Sequence, residues 1–271
     1  THRHSLASTD STPVIRSARL SDDGIPKHQG ALPMRIAVMS DIHGFNLALE
    51  TVLAHIDADG PFDSVIVAGD LCEGGPGPRQ VIELLQGRDL IALTGNTDRD
   101  LVQAVSENDA SGDWSFMLNE LGPEGISYLA ELPFAHRISP PGGASPSEDL
   151  LVVHANPHDL ERKLDPSASD HVLAGIIGET AAGAIAFGHI HICYVRQLAA
   201  TLLVDVSAAG NPKDGDLRCK YGVLTWDQAA ARWRGEIRKL TYPVDATAAQ
   251  IRASGLTNPE GTLRKLRKAT Y

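Results

Sequence analysis

This 271-residue chain is short of cysteine, aromatic side chains, positive charge and long apolar runs, and each shortage excludes a class of protein. Its three cysteines, Cys72, Cys193 and Cys219, are odd in number and form no CxxC pair, so neither a disulfide framework nor a cysteine-rich zinc module is expected. Such usage points to reduced thiols in a cytoplasmic setting. The longest apolar stretches, near 181–187 and 198–204, fall well below the roughly 18 residues of a membrane-spanning helix. Residues 1–33 also lack the apolar core of a secretory signal. With 24 Lys and Arg against 34 Asp and Glu, the formal charge of −10 excludes the broad basic surface that bulk nucleic-acid binding requires. What is present is ordinary globular material, 42% hydrophobic and 21% charged, in a chain long enough to bury a core without covalent staples.

Residues 1–33 show neither helical nor strand periodicity and read as an irregular N-terminal arm. From Met34 onward, short apolar runs alternate with longer amphipathic segments. The runs at 35–39 (RIAVM), 64–68 (SVIVA), 90–93 (LIAL), 150–153 (LLVV) and 184–187 (AIAF) read as buried strands. Between the first two, residues 46–58 place Leu47, Leu49, Val52, Leu53 and Ile56 near one stripe at 3.6-residue spacing, which predicts a crossover helix. Similar stripes fall at 78–86, 100–106, 123–131 and 171–182. Toward the C-terminus, 194–198, 202–206, 221–227 and 233–240 are strand-like with no helix between them, as in antiparallel hairpins. Residues 246–268 read as helical, broken at Gly255 and at Asn258-Pro259. The expected organisation is an α/β domain over 34–244 and a C-terminal helical extension over 245–271.

Chemistry concentrates at the strand ends. The first run is followed by Asp41-Ile42-His43, the second by Gly69-Asp70, and the third by Gly95-Asn96-Thr97-Asp98. The fourth is followed by His154 and the fifth by Gly188-His189-Ile190-His191. Ligand sites of open α/β sheets lie at the carboxyl ends of their strands. Any one of these pieces means little, since a lone buried histidine is more often a satisfied core residue than a ligand. Their recurrence at five successive strand ends is what carries the reading. Asp41, His43, Asp70, Asn96, His154, His189 and His191 form a mixed nitrogen and oxygen donor set suited to Mn, Fe, Co, Ni or Zn. Seven donors exceed the needs of one ion. They fit two divalent ions about 3.5–4 Å apart, with Asp70 as the bridge.

In this order and spacing, the series Asp41-x-His43, Gly69-Asp70, Gly95-Asn96-x-Asp98, His154 and Gly188-His189-x-His191 resembles the calcineurin-like metallophosphoesterase superfamily, over about residues 34–240. The resemblance implies a four-layer αββα sandwich of two mixed β-sheets flanked by helices, with a dinuclear metal site at one sheet edge. It implies that Asp41, His43 and His191 hold one ion, that Asn96, His154 and His189 hold the other, and that Asp70 bridges them. The segments 69–78 (GDLCEGGPGP) and 95–101 (GNTDRDL) are most similar to bacterial and archaeal cytoplasmic phosphodiesterase-type members.

One departure bears on the reaction. Many members of the superfamily carry a histidine after the Gly-Asn pair as general acid toward the leaving group, and Thr97 stands there instead. A threonine hydroxyl has no useful pKa near neutrality, so alkyl monoesters are disfavoured as substrates and diesters with better leaving groups are favoured. Asp98 and His158 are the candidate substitute proton donors, although Asp98 equally suits a cap on the following helix. Arg99 is a candidate contact for a substrate phosphate, as is Asn96. The expected activity is hydrolysis of a small phosphodiester or nucleotide-like substrate by attack of a hydroxide bridging the two ions. The alternatives are a phosphoanhydride hydrolase acting on a dinucleoside polyphosphate, a phosphoprotein phosphatase, or a non-catalytic binding module on the same fold.

Overall fold

The computed structural model describes residues 33–88, 90–108 and 111–270; the arm expected over 1–33 lies, but for Pro33, outside the described residues. The first sheet contains β1 (Arg35–Met39), β2 (Ser64–Val67), β3 (Ile91–Ala92), β9 (Cys219–Asp227) and β10 (Arg232–Leu240), in the order β10-β9-β1-β2-β3. The second contains β4 (Ala135–Ile138), β5 (Leu150–Val153), β6 (Ala184–Phe187), β7 (Tyr194–Leu198) and β8 (Thr201–Asp205), in the order β4-β5-β6-β8-β7. Both are mixed. The pairs β1–β2 and β2–β3 are parallel, as are β5–β6 and β6–β8; antiparallel strands close one edge of the first sheet and both edges of the second.

Period-2 alternation explains why the two sheets stack. Ile36, Val38, Ile66 and Ala68 from the first sheet meet Leu150, Val152, Ala184, Ala186 and Val204 from the second in one buried core. Their neighbours point the other way. Ala37, Met39 and Val67 pack under α1 (Asn46–Asp59), α2 (Pro78–Gln86), α3 (Asn96–Glu107) and α4 (Trp114–Ala130). On the far side, Leu151, Val153, Ile185 and Phe187 pack under α5 (Asp170–Ile177). The result is the four-layer αββα sandwich. The last two helices, α6 (Val244–Ala253) and α7 (Pro259–Lys268), contribute Ala248, Ile251, Leu263 and Leu266 to the same core as α1–α4.

Several boundaries differ from the sequence reading for local reasons. Helix α3 begins four residues earlier than expected, at Asn96, because the Asp98 side chain accepts the Gly95 N–H and closes the first turn. Helix α4 extends back to Trp114 and is interrupted at Gly122, whose φ of 61° precedes Pro123. Helix α5 stops at Ile177, where Gly178 takes a φ of 58°. Strand β4 (AHRI) escaped notice because an edge strand with half-buried polar residues shows no clean alternation.

The inter-sheet core is closed by Trp226 and Trp233, whose ring centroids lie 5.5 Å apart. The Trp233 indole N–H also donates to the Glu148 carbonyl at 2.7 Å, tying β10 of one sheet to the turn that leads into β5 of the other. Trp233→Ala is expected to cost about 3–5 kcal/mol of stability. Trp233→Phe, which keeps most of the packing, is expected to cost only about 1 kcal/mol for the lost hydrogen bond. Urea unfolding measures both.

Candidate metal centre

Five strands of the two sheets end at one place, and the loops they feed are stitched together by backbone hydrogen bonds. Asp41 N–H donates to the Gly69 carbonyl, His43 N–H to Asp70, Gly188 N–H to His154, and Gly210 N–H to Asp41. All seven candidate ligands are brought together there. Asp41, His43, Asp70 and His191 offer ligand atoms that lie within 4.8 Å of one another, and all four are buried. Around the other oxygen of Asp70 stand His154, Asn96 and His189. His154 Nε2 lies 3.0 Å and His189 Nδ1 lies 3.1 Å from Asn96 Oδ1, and His154 Nε2 is 3.5 Å from Asp70 Oδ1. Asp70 Oδ2 faces His43 Nε2 at 3.6 Å. The Asp70 carboxylate therefore turns one oxygen to each half of the cluster.

The orientation of each imidazole is set from behind. A backbone carbonyl can only accept, so a ring nitrogen bonded to one carries the proton and the opposite nitrogen carries a lone pair. Nδ1–H of His43 donates to Glu73 O at 2.7 Å, that of His154 to Ala68 O at 2.8 Å, and that of His191 to Asn211 O. His189 is reversed, donating Nε2–H to Glu161 O at 3.0 Å and presenting Nδ1 to the cluster. Held this way, each imidazole in its neutral form aims a lone pair inward, as metal-binding histidines do.

Those lone pairs meet acceptors. His43 Nε2 and His191 Nε2 are 3.2 Å apart, His191 Nε2 is 3.1 Å from Asp41 Oδ1, and Asp41 Oδ1 is buried with no hydrogen-bond donor. In the other half, two imidazole nitrogens converge on an amide oxygen. Such a set is repulsive without a cation or added protons, and its nitrogen and oxygen donors suit borderline first-row divalent ions. Asp41, His43, Asp70 and His191 fit one such ion, and Asp70, Asn96, His154 and His189 present the donors for another.

Titration follows the same crowding. Burial alone would raise the Asp41 carboxyl, but His191, His154 and His43 hold it well below the usual carboxylate range. Burial pulls the His191 and His154 imidazoles down, and the surrounding carboxylates, led by Asp41 for His191 and Asp70 for His154, bring both above the ordinary histidine value. His189 is lowered by burial and by His154.

Backbone conformation carries a further mark of the site. Asp41, His43, Asp70, His189 and His191 all have φ between 51° and 71°. Left-handed non-glycine residues cost on the order of 1 kcal/mol or more each and cluster where function requires them. Glycine is required by close approach at two flanking positions. A Cβ on Gly95 would lie 2.1 Å from Asp70 Oδ1, and one on Gly188 would lie 2.2 Å from Asp41 Oδ2.

The remaining candidates lie elsewhere. The Asp98 carboxylate is buried and accepts the backbone N–H groups of Asp70, Leu71 and Gly95 at 2.8–2.9 Å, so it clamps the ligand loops rather than facing the cleft. Burial, with Asp70 beside it, pushes its pKa up to about 7 against the pull of those amides. His158 is exposed, and its Nε2 bonds the Ile177 carbonyl at the end of α5. The contacts of both in the structure are therefore to backbone groups. Arg99 sits on the rim, paired with Asp100 and with Glu161, the residue whose carbonyl orients His189. The carbonyls of Ala68, Glu73, Glu161 and Asn211 escaped sequence reasoning, since a backbone acceptor has no side-chain signature. A groove of about 620 Å³ between α3 and α4, lined by Ala104, Val105, Leu118 and Ile126 among others, shares no residue with the cluster.

The molecule is thus a two-sheet αββα sandwich with a buried Asp/His group at its strand ends that could hold a metal ion. The chain belongs to the calcineurin-like phosphoesterase superfamily, whose domain model matches residues 34–229. Among solved structures, it is similar to a metallophosphoesterase from Sphaerobacter thermophilus (TM-score 0.70, 24% identity, covering 88% of this chain and 100% of that one). It is also similar to a hypothetical protein from Pyrococcus horikoshii OT3 (TM-score 0.71, 16% identity, covering 87% of this chain and 98% of that one). No curated protein sequence matches the chain. Among the described residues, no helix is long and apolar enough to cross a membrane.

Two outcomes follow from this geometry. Because protons compete for His154 and His191 at higher pH than for a free histidine, metal affinity is expected to fall about tenfold or more between pH 8 and pH 6, with proton release on binding. Calorimetry in buffers of different ionisation enthalpy measures both. Gly188→Ala, whose methyl would displace the Asp41 carboxylate, is expected to weaken binding of one ion about 10–100-fold, as loss of ligand support does. Metal content after gel filtration reads it.

Proposed function

We propose that the protein is a two-metal phosphodiesterase acting on a small or nucleotide-like substrate with a good leaving group. The observation that carries the reading is the Asp70 carboxylate, with one oxygen toward His43 and the other toward His154, between two sets of inward lone pairs. Asp41, His43, Asp70 and His191 would hold one divalent transition-metal ion and Asp70, Asn96, His154 and His189 another, which would supply Lewis acidity toward water and the phosphoryl oxygens. The chain's own part is to fix geometry. Asp70 Oδ1 is held by the Thr97 N–H at 3.0 Å, and Asp41 Oδ2 by the His189 N–H at 2.8 Å, so both carboxylates are oriented before anything binds.

Leaving-group preference follows from what stands beside Asn96. The Thr97 hydroxyl is buried without a hydrogen-bond partner and has no acidity near neutrality. Asp98 and His158 are committed to backbone groups. Substrates whose departing oxygen needs little protonation are therefore favoured: aryl or nucleotide-like diesters over alkyl monoesters. Three free thiols, two of them buried, accord with a cytoplasmic location.

The test compares bis(p-nitrophenyl) phosphate with p-nitrophenyl phosphate, using metal-stripped protein with Mn, Co, Ni, Zn or Mg restored. Metal-dependent turnover favouring the diester is expected, with His154→Ala falling to the level of stripped protein. Turnover of neither ester by metal-loaded protein would overturn the reading. Thr97→His, which places an acid at that position, is expected to raise turnover of an alkyl monoester such as glycerol phosphate about tenfold or more relative to bis(p-nitrophenyl) phosphate, since general acids contribute roughly 10²–10⁴ where the leaving group needs a proton.

A further inference from the structure

Lys220, at the start of β9, is fully buried, and lies outside the seven candidate ligands. Its ammonium spends all three protons on one loop, donating to Asp214 Oδ1 at 3.0 Å, Asp216 O at 2.8 Å and Arg218 O at 3.1 Å. Apolar residues in place of the whole Lys220–Asp214 pair would fill the same space without removing charge from water, and such replacements of buried ion pairs are often neutral or stabilising. Packing alone therefore gives no reason for a lysine here. The reason lies at the other end of the loop.

There the chain braces one half of the metal centre. The Asn211 carbonyl receives the His191 Nδ1–H, and both the Lys213 N–H and the Ser207 hydroxyl donate to the His191 carbonyl. Gly210 N–H donates to the Asp41 carbonyl and Ala209 N–H to that of Ser40. Asp214 joins the two ends directly, because its Oδ1 accepts from Lys220 while its Oδ2 accepts from the Cys193 thiol, two residues beyond His191. The other half of the centre is held from elsewhere, by the carbonyls of Ala68 and Glu161.

We infer that Lys220 is a positioning residue for the Asp41/His43/His191 half of the centre, acting through Asp214 and the 211–218 loop to fix the ring orientation of His191. The inference rests on the two-metal reading given above. Its effect is selective: loss of the ammonium loosens the carbonyl that orients His191 and leaves His154 and His189 in place.

The test uses cobalt(II), followed by its visible spectrum and by calorimetry, in two single-site backgrounds. His154→Ala leaves the His191 half, and His43→Ala leaves the His154 half. Adding Lys220→Met is expected to weaken cobalt binding about 10–100-fold in the first background and less than about twofold in the second, the range seen when outer hydrogen-bond partners of ligands are removed. Asp214→Asn, a gentler change that keeps an oxygen acceptor, is expected to move the same site in the same direction and serves if Lys220→Met does not fold. Equal weakening of both halves, in step with a fall in melting temperature, would mean a merely structural role and overturn the inference. Unchanged binding in both would also overturn it. Wild-type protein that takes up only one cobalt would instead overturn the two-metal reading.

Discussion

Electrostatic repulsion among ligands governs this molecule. Four imidazole lone pairs, two carboxylates and an amide oxygen point at one another over distances near 3 Å, with no donor for Asp41 Oδ1. Nothing in that set attracts its own members when all are in their metal-binding protonation states. The arrangement therefore has to be held from outside, and the surrounding structure reads as the means of holding it. Backbone carbonyls take the far N–H of every imidazole, backbone amides take the second oxygen of Asp41 and the first of Asp70, and Asp98 locks two ligand loops together through three amides.

The sandwich supplies the rigidity this requires. Strands β1, β2, β5 and β6 are short, but each is packed on both faces, so their carboxyl ends are fixed relative to one another by the inter-sheet core and by the two outer cores. Ligands follow their strands by only one to four residues, so little freedom is left between scaffold and site. The chain then turns sharply, and five ligands take left-handed backbone conformations. That strain is offset by the hydrogen-bonded loops around it.

Much of this was legible in the chain. The five runs 35–39, 64–68, 90–93, 150–153 and 184–187 announce buried strands because both faces are covered and the apolar residues are continuous. Asp, Asn and His soon after them announce the centre, since sites of such sheets lie at the carboxyl ends of the strands. Less was visible where the determinant is a neighbour distant in sequence. β4 pairs with β5 at an edge and has no pattern of its own, and the start of α3 depends on a carboxylate that also serves residues 70 and 71. The sequence left Asp98 open between cap and proton donor, and its three amide partners, two of them 27 and 28 residues away, had no signature there.

By itself, then, the amino-acid order determined the alternation of strands and helices, the class of fold and the ligand types at each strand end, because these depend on local periodicity and side-chain chemistry. Only the tertiary structure decided which imidazole nitrogen faces inward, how the two oxygens of Asp70 divide between the halves, and that Lys220 lies buried beneath the 211–218 loop. The first two are settled by backbone groups 20 or more residues away along the chain, which meet only in the folded molecule, whereas Lys220 is held by the loop just before it.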